Sequence, residues 1–302
     1  MGIYVETRVR GEMAELWERT QNPQQHVQWD LRFTDIEYLP HSDESQPQRF
    51  LYGTRLGFGL SIRGEGETVG QRDAPSGERT SSLKFWSNDP KSLIREGAGY
   101  WQYVPDGEAI RFLTAYDYQV RFGIVGRVFD KVLFRPLMGW ATAWSFDCLR
   151  LWIERGIQPV SSIQRSLVHL VARWALAFVW VYQGLVPKIL SHHADELEMV
   201  RQGGFSDSAA LAVAQTVGWL EVGFGAVLLL AFHRAWPLIS TIVLMVVATV
   251  GVALNSPHFL HAAFNPVSLN VLMVALAVIG LLSMKDLPRA NRCLRKKQEE
   301  AQ

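Results

Sequence analysis

Hydrophobic and polar positions follow two different patterns along the chain. Up to about residue 160 they exchange every one or two residues, in runs the length of strands. Ile3–Arg10 alternates as a strand does. Glu12–Thr20 has helical spacing, and Asn22-Pro23 is expected to break it. Strand-like runs follow at Leu31–Tyr38, Arg49–Phe58, Ser61–Gly70, Arg79–Ser87, Gly97–Val104 and Ala109–Val120. Polar turns separate them at His41–Gln48, Asp73–Gly77, Asn88–Lys91 and Pro105–Glu108, and Gly64-Glu65-Gly66-Glu67 also reads as a turn. Gly126–Glu154 then has helical spacing, with Pro136 expected to kink it. This half reads as an α+β domain.

Beyond residue 160 the pattern becomes apolar on all sides. The 50 residues from Ala235 to Met284 contain no Asp, Glu, Lys or Arg. Such a stretch fits two membrane spans of about 20 residues and a turn. Four spans are predicted: Ser166–Pro187, Ser208–Phe232, Trp236–Asn255 and Val267–Met284. The predicted organisation is a soluble domain over 1–156, a linker over 157–165, an all-α four-helix transmembrane bundle over 166–284 and a basic tail over 285–302. Pro159 and the serines of Gly156–Ser162 mark the break.

Charge then orients the chain. Arg150, Arg155 and Arg165 precede the first span, Arg234 lies between the second and third, and six Lys or Arg from Lys285 to Lys297 follow the fourth. The loop after the third span has none. By the positive-inside rule both termini lie in the cytoplasm, and the plasma (inner) membrane is the expected location. The amino terminus has no apolar run of the kind that opens an export signal. With 30 Lys+Arg against 29 Asp+Glu, the net charge of +1 argues against a nucleic-acid partner. Two cysteines, Cys148 and Cys293, support neither a disulfide framework nor a four-cysteine zinc site.

In the first half the order of elements is strand, helix, about six antiparallel strands, long helix. That order resembles the START-like or SRPBCC superfamily, and the run from Tyr116 to Trp152 is similar to the last strand and helix of a polyketide-cyclase-like member. The resemblance implies a helix-grip fold, a curved sheet around the last helix with an apolar cavity between them, and a hydrophobic small molecule or lipid as ligand. Trp29, Phe33, Tyr52, Trp86, Trp101, Tyr103, Tyr116, Phe129 and Trp140 are candidates to line it, with Phe134 also available. The same rings serve equally well as sheet core. No nucleophile–base set is visible. His26 is within sequence reach of Trp29 and Asp30, and His41 is the only other histidine in this half.

The second half resembles the DoxX-like family, a compact bundle of four transmembrane helices. The matching residues are Arg173, Trp180, Gly184 and Pro187-Lys188 in the first span, Glu221 and Gly225 in the second, and Asn265-Pro266 with Asn270 at the fourth. Family members include one linked to thiosulfate:quinone oxidoreduction, so the alternative to a ligand-binding membrane protein is a quinone-linked redox component. No cofactor is otherwise evident and no metal site is assigned; protein partners are undetermined. The intramembrane polar candidates are Arg173, Gln183, Glu221, Asn265 and Asn270. Arg173 and Glu221 fall at expected depths of about 10 and 16 Å from the cytoplasmic edge, close enough to pair. Intramembrane ionisable groups mark either helix contacts or proton and substrate paths.

Overall fold

A computed structural model of the chain describes residues 2–40, 46–57, 59–263 and 265–297; His41 lies outside them. The chain divides into two compact units, Met1–Ser162 with Pro288–Gln302, and Ile163–Leu287.

The first unit is an antiparallel sheet gripping a long helix. Strand β1 (Ile3–Val9) leads into helices α1 (Met13–Gln21) and α2 (Pro23–Trp29). Six strands follow: β2 (Asp35–Tyr38), β3 (Arg49–Gly57), β4 (Leu60–Asp73), β5 (Arg79–Trp86), β6 (Ile94–Asp106) and β7 (Ala109–Val120). They form one seven-stranded sheet, ordered β1-β7-β6-β5-β4-β3-β2. Consecutive strands make hairpins, and β1 closes onto β7 with Val5 opposite Thr114. Helix α3 (Gly123–Phe129), a π-helical turn (Asp130–Phe134) and α4 (Arg135–Arg155) then run as one rod, and α4 packs on β1. This is the helix-grip arrangement. Alternation on β7 puts Ile110, Phe112, Thr114, Tyr116 and Tyr118 on the inner face. There Phe112 stacks on Phe146 of α4, with centroids 4.4 Å apart.

Three local features differ from the pattern-based reading. Asn22-Pro23 ends one helix and starts another: the Asn22 side chain accepts from the backbone N–H of Gln24 and Gln25, and Pro23 takes the first helical position, where no N–H is needed. The turn that follows the second helix takes Leu31–Thr34, the residues expected to begin β2. Pro136 does not kink α4 in its middle. It sits at the start of α4, and the disturbance falls on the preceding turn, widened to π geometry, because proline lacks an N–H and its ring crowds the carbonyl four residues back. Gly64–Glu67 is not a turn but the middle of β4.

The segment Arg289–Leu294 returns to the first unit. Leu294 and Glu6 exchange backbone hydrogen bonds of 2.9 Å, adding a bridge to the open edge of β1. The buried carboxylate of Asp147 on α4 accepts from the Arg289 backbone N–H at 2.7 Å and meets the Arg292 guanidinium at 3.3 Å. An unpaired strand edge invites pairing with other chains, and the tail covers it.

Gly99 on β6 is required by close approach. A Cβ there would lie 2.5 Å from the Tyr116 Cβ and 2.9 Å from the Ala115 carbonyl oxygen, both held by the sheet. Gly99→Ala is expected to cost about 1–3 kcal/mol, as overpacking does. A lowered thermal midpoint of the full chain checks this, and an unchanged midpoint would show that the strands part without cost.

In the second unit, α5 (Pro159–Gln183) continues into a π-helical segment (Gly184–Leu190) that contains Pro187. Short helix α6 (Ala194–Gln202), α7 (Asp207–Leu230), α8 (Trp236–Asn255) and α9 (Pro266–Ser283) follow. The expected linker is largely helix, since α5 begins at Pro159. Four helices of the described residues are long and apolar enough to cross a membrane. Leu176, Ala177, Trp180, Leu228, Leu238, Met245, Met273 and Ala277 form their common core. Trp174, Phe178, Trp219, Leu254 and Leu282 point outward, exposed. Helices apolar on the outside as well as the inside have hydrocarbon as their solvent.

Candidate functional site

The inner face of the sheet carries a trough of aromatic rings. Glycine on one strand lets the ring of the paired residue lie flat: Tyr52 covers Gly64, Phe50 covers Gly66 and Phe85 covers Gly97. These three rings are half-buried. Phe33 meets Tyr52 edge-on at 5.7 Å and continues the trough.

At its inner end stands a charged cluster. Asp30, fully buried, accepts from Arg32 through both oxygens, Nε to Oδ1 at 2.9 Å and Nη2 to Oδ2 at 2.6 Å. His26 Nε2 lies 3.0 Å from the same Oδ2. Burial alone would raise the Asp30 carboxyl, but the Arg32 charge and hydrogen bonds outweigh it, and His26 adds to them. The carboxyl is held well below the usual range and stays ionised. The imidazole of His26 stacks on Trp29 at 5.0 Å and meets Trp101 at 4.9 Å and Phe33 at 5.3 Å. The Arg32 guanidinium carbon sits 5.4 Å from the Phe33 ring centre and 5.5 Å from that of Tyr116. The Tyr116 hydroxyl is bonded to Thr142 of α4 at 2.9 Å. Burial pushes the Tyr52 phenol up to about 12, so it is neutral at pH 7. A guanidinium, an imidazole and the neutral Tyr52 phenol thus stand beside apolar rings.

The structure sorts the nine predicted aromatics. Trp29, Phe33, Tyr52, Trp101 and Tyr116 come together around this cluster. Tyr103 belongs to the packed core, where its hydroxyl bonds Thr20 at 2.7 Å. Trp86 lies on the opposite face of the sheet, one residue out of step with Phe85, near Arg49. Phe129 and Trp140 are exposed on the helical rod. The expected enclosed cavity is occupied by side chains: Trp29, Tyr103, Phe112 and Phe146 are fully buried and fill the space between sheet and α4. Two surface clefts of about 400 and 490 Å³ are lined by other residues, Glu6 and Arg292 among the first and Gln71 and Gln102 among the second. Sequence reasoning placed His26 beside Asp30 but passed over Arg32. The available signal was His-x3-Asp-x-Arg, which puts two partners on either side of one carboxylate.

In the membrane unit the expected pairing of Arg173 with Glu221 does not form. Arg173, fully buried, donates to carbonyls at the end of α7, Leu228 at 2.8 Å and Ala231 at 3.1 Å, and to that of Arg234 in the turn that follows. Its Nε donates to His169 Nε2 at 3.1 Å, and His169 Nδ1 lies 2.9 Å from the Gly280 carbonyl. The cation thus caps the negative end of a helix dipole. Glu221 instead meets Lys188 at 3.1 Å, and Lys188 also meets Glu196 at 3.3 Å. The register decides this. Gly184 packs on Gly218 and Gly225 on Ala177, so α5 and α7 touch backbone to backbone through small residues. Glu221 then lies ten residues, roughly 15 Å, from Ala231. Lys188 stands on the π-helical segment that Pro187 creates, a feature frequent at functional sites.

Asn265 and Asn270 have local partners. Asn265 caps α9, accepting from the Ser268 N–H at 2.9 Å. Asn270 donates to Thr249 at 3.0 Å and ties α9 to α8. At Gln183 it is the backbone carbonyl that accepts from Lys188, at 3.4 Å.

A helix-grip domain in sequence with a four-span bundle defines a class of two-unit membrane proteins. The chain belongs to the family of the uncharacterized membrane protein YndG of Bacillus subtilis (strain 168), to which it is 38% identical over 298 residues, 98% of each chain. The model of the DoxX-like family matches residues 177–278, so the bundle is a DoxX-like domain. Similar solved structures include a STAR-related lipid transfer protein from Xanthomonas axonopodis (15% identity, TM-score 0.39, 50% of this chain and 85% of that one). Another is the Zhui aromatase/cyclase from Streptomyces sp. R1128 (10% identity, TM-score 0.38, 52% and 97%).

Proposed function

We propose that the protein holds a hydrophobic small molecule or lipid in its helix-grip domain, which faces the cytoplasm while the DoxX-like bundle anchors it in the plasma membrane. The aromatic trough ending on Arg32 and His26 is the observation that carries this reading. Its half-buried rings lie over glycines and keep part of their surface accessible, and its charged end is already neutralised by Asp30, so a neutral polar head can be taken up without stranding a charge. The excess of basic residues before the first span and after the fourth, against Lys188 and Arg201 in the loop after the first, supports the orientation.

Native mass spectrometry of the full chain, released from native lipid discs and followed by lipid extraction, tests the reading. A bound mass of a few hundred daltons, a size that fits such a trough, is expected on the wild type and missing from Tyr52→Ala/Phe85→Ala. Its absence from the wild type, or its survival in the variant, would remove the trough as the site. A Gln71→Cys label, on an exposed position of β4, should resist an impermeant thiol reagent in intact cells. Labelling there would reverse the orientation.

A further inference from the structure

The rod that precedes α4 is amphipathic in the wrong sense for a soluble domain. Between Phe122 and Leu133 only Gly126 and Asp130 are buried. They lie four apart, and half-buried Phe134 and Met138 continue their row. That single row faces the domain. Asp130 is anchored there by the Tyr118 hydroxyl at 2.7 Å and the Arg135 guanidinium at 2.9 Å. The opposite face is apolar and open. Ile124 is 71% exposed, Val125 77%, Val128 57%, Val132 73%, Leu133 55% and Leu137 52%. Arg127 and Lys131, both exposed, run along one flank.

A contiguous apolar face of this kind on a soluble surface marks an interaction site. We propose that Gly123–Leu137 lies in the interface of an anionic bilayer leaflet, with its apolar face in the acyl boundary and Arg127 and Lys131 among the headgroups. Three observations select lipid as the occupant. The exposed apolar residues, aliphatic but for Phe129, are unbroken by polar ones on their own face, as hydrocarbon requires. The two cations on the flank complement anionic headgroups. The domain is also tethered at the membrane: Gly156, with φ +65°, ends α4, and α5 starts at Pro159. The residues between span about 11 Å at most. Insertion of this segment does not depend on whether the trough binds a ligand.

Spin labelling of the full chain in vesicles of phosphatidylcholine and phosphatidylglycerol tests it. Val125→Cys, Val132→Cys and, as reference, Gln71→Cys each carry one nitroxide. All three positions are exposed, so the fold should tolerate the label. The native Cys148 and Cys293 are buried, and burial pushes both thiols up to about 12, which keeps them from reacting. Oxygen should relax the labels at positions 125 and 132 several-fold more than a water-soluble nickel chelate does, with the reverse at 71. Depths of about 5–10 Å are expected. Omitting phosphatidylglycerol should make the labels shallower. Nickel access at 125 and 132 equal to that at 71 would overturn the proposal. So would exclusion of both reagents, which would mean cover by protein, or spin–spin broadening, which would mean a second copy. Failure of these measurements leaves the ligand experiment untouched, and the converse holds.

Discussion

Arg173→Leu should be among the most damaging single changes in the membrane unit, and Glu221→Leu should not rescue it. The substitution strips three carbonyls, two at the end of α7 and that of Arg234 in the following turn, of their donor. Each buried acceptor left unmade costs about 1–3 kcal/mol, so the loss should exceed about 3 kcal/mol. Fluorescence-detected gel filtration of the heated protein would show a midpoint lower by about 10 °C. Arg173→Lys should recover only part, because an ammonium does not present the planar fork that spans several carbonyls. Glu221→Leu should have its own cost, through Lys188, and the two losses should add, since the sites share no partner. Rescue of Arg173→Leu by Glu221→Leu would mean that the two residues meet.

The opposite behaviour is expected in the helix-grip unit. Asp30→Ala leaves the Arg32 guanidinium buried among aromatic rings without its carboxylate, and breaking a buried pair from one side costs about 3–5 kcal/mol. Adding Arg32→Met should recover much of that, because it removes the stranded charge. Acid should act through the same group. The folded carboxyl is held below its unfolded value of about 3.9, so its contribution is complete above about pH 4 and is lost as pH falls further. Tryptophan fluorescence against temperature at stepped pH should show the wild-type midpoint falling below pH 4. Asp30→Asn, lower at neutral pH, should lack that part of the acid limb. Parallel acid limbs in the two proteins would show that Asp30 is not the titrating group.

The organisation of this protein is legible because its two solvents write different patterns. Strands half-buried against a core alternate, and helices dissolved in hydrocarbon are apolar all round. The third span is predicted and found at Trp236–Asn255, and the others shift by only a few residues except the first, where α5 begins seven residues earlier. Five of the six strands after α2 follow their predicted runs for the same reason, and β2 keeps only the second half of its run. The misreadings are instructive. Asn22-Pro23 looks like a stop because both residues interrupt a helix, yet the pair also caps the next one. Gly64 and Gly66 look like a turn because glycine permits one, yet here they make room for the rings of the neighbouring strand.

By itself the sequence determined the class of each half, the number of spans and the presence of buried charge, since periodicity and composition are local properties. Which charges meet is not local. Arg173 and Glu221 were matched by estimated depth, and helix packing through Gly184, Gly218 and Gly225 set a register that sends one to a helix end and the other to Lys188. Asp30 gained Arg32 through a turn that no period encodes. The tail returned to β1 because an open strand edge and the buried Asp147 wait for it. Tertiary structure decided these pairings, because they depend on where separate elements come to rest against one another.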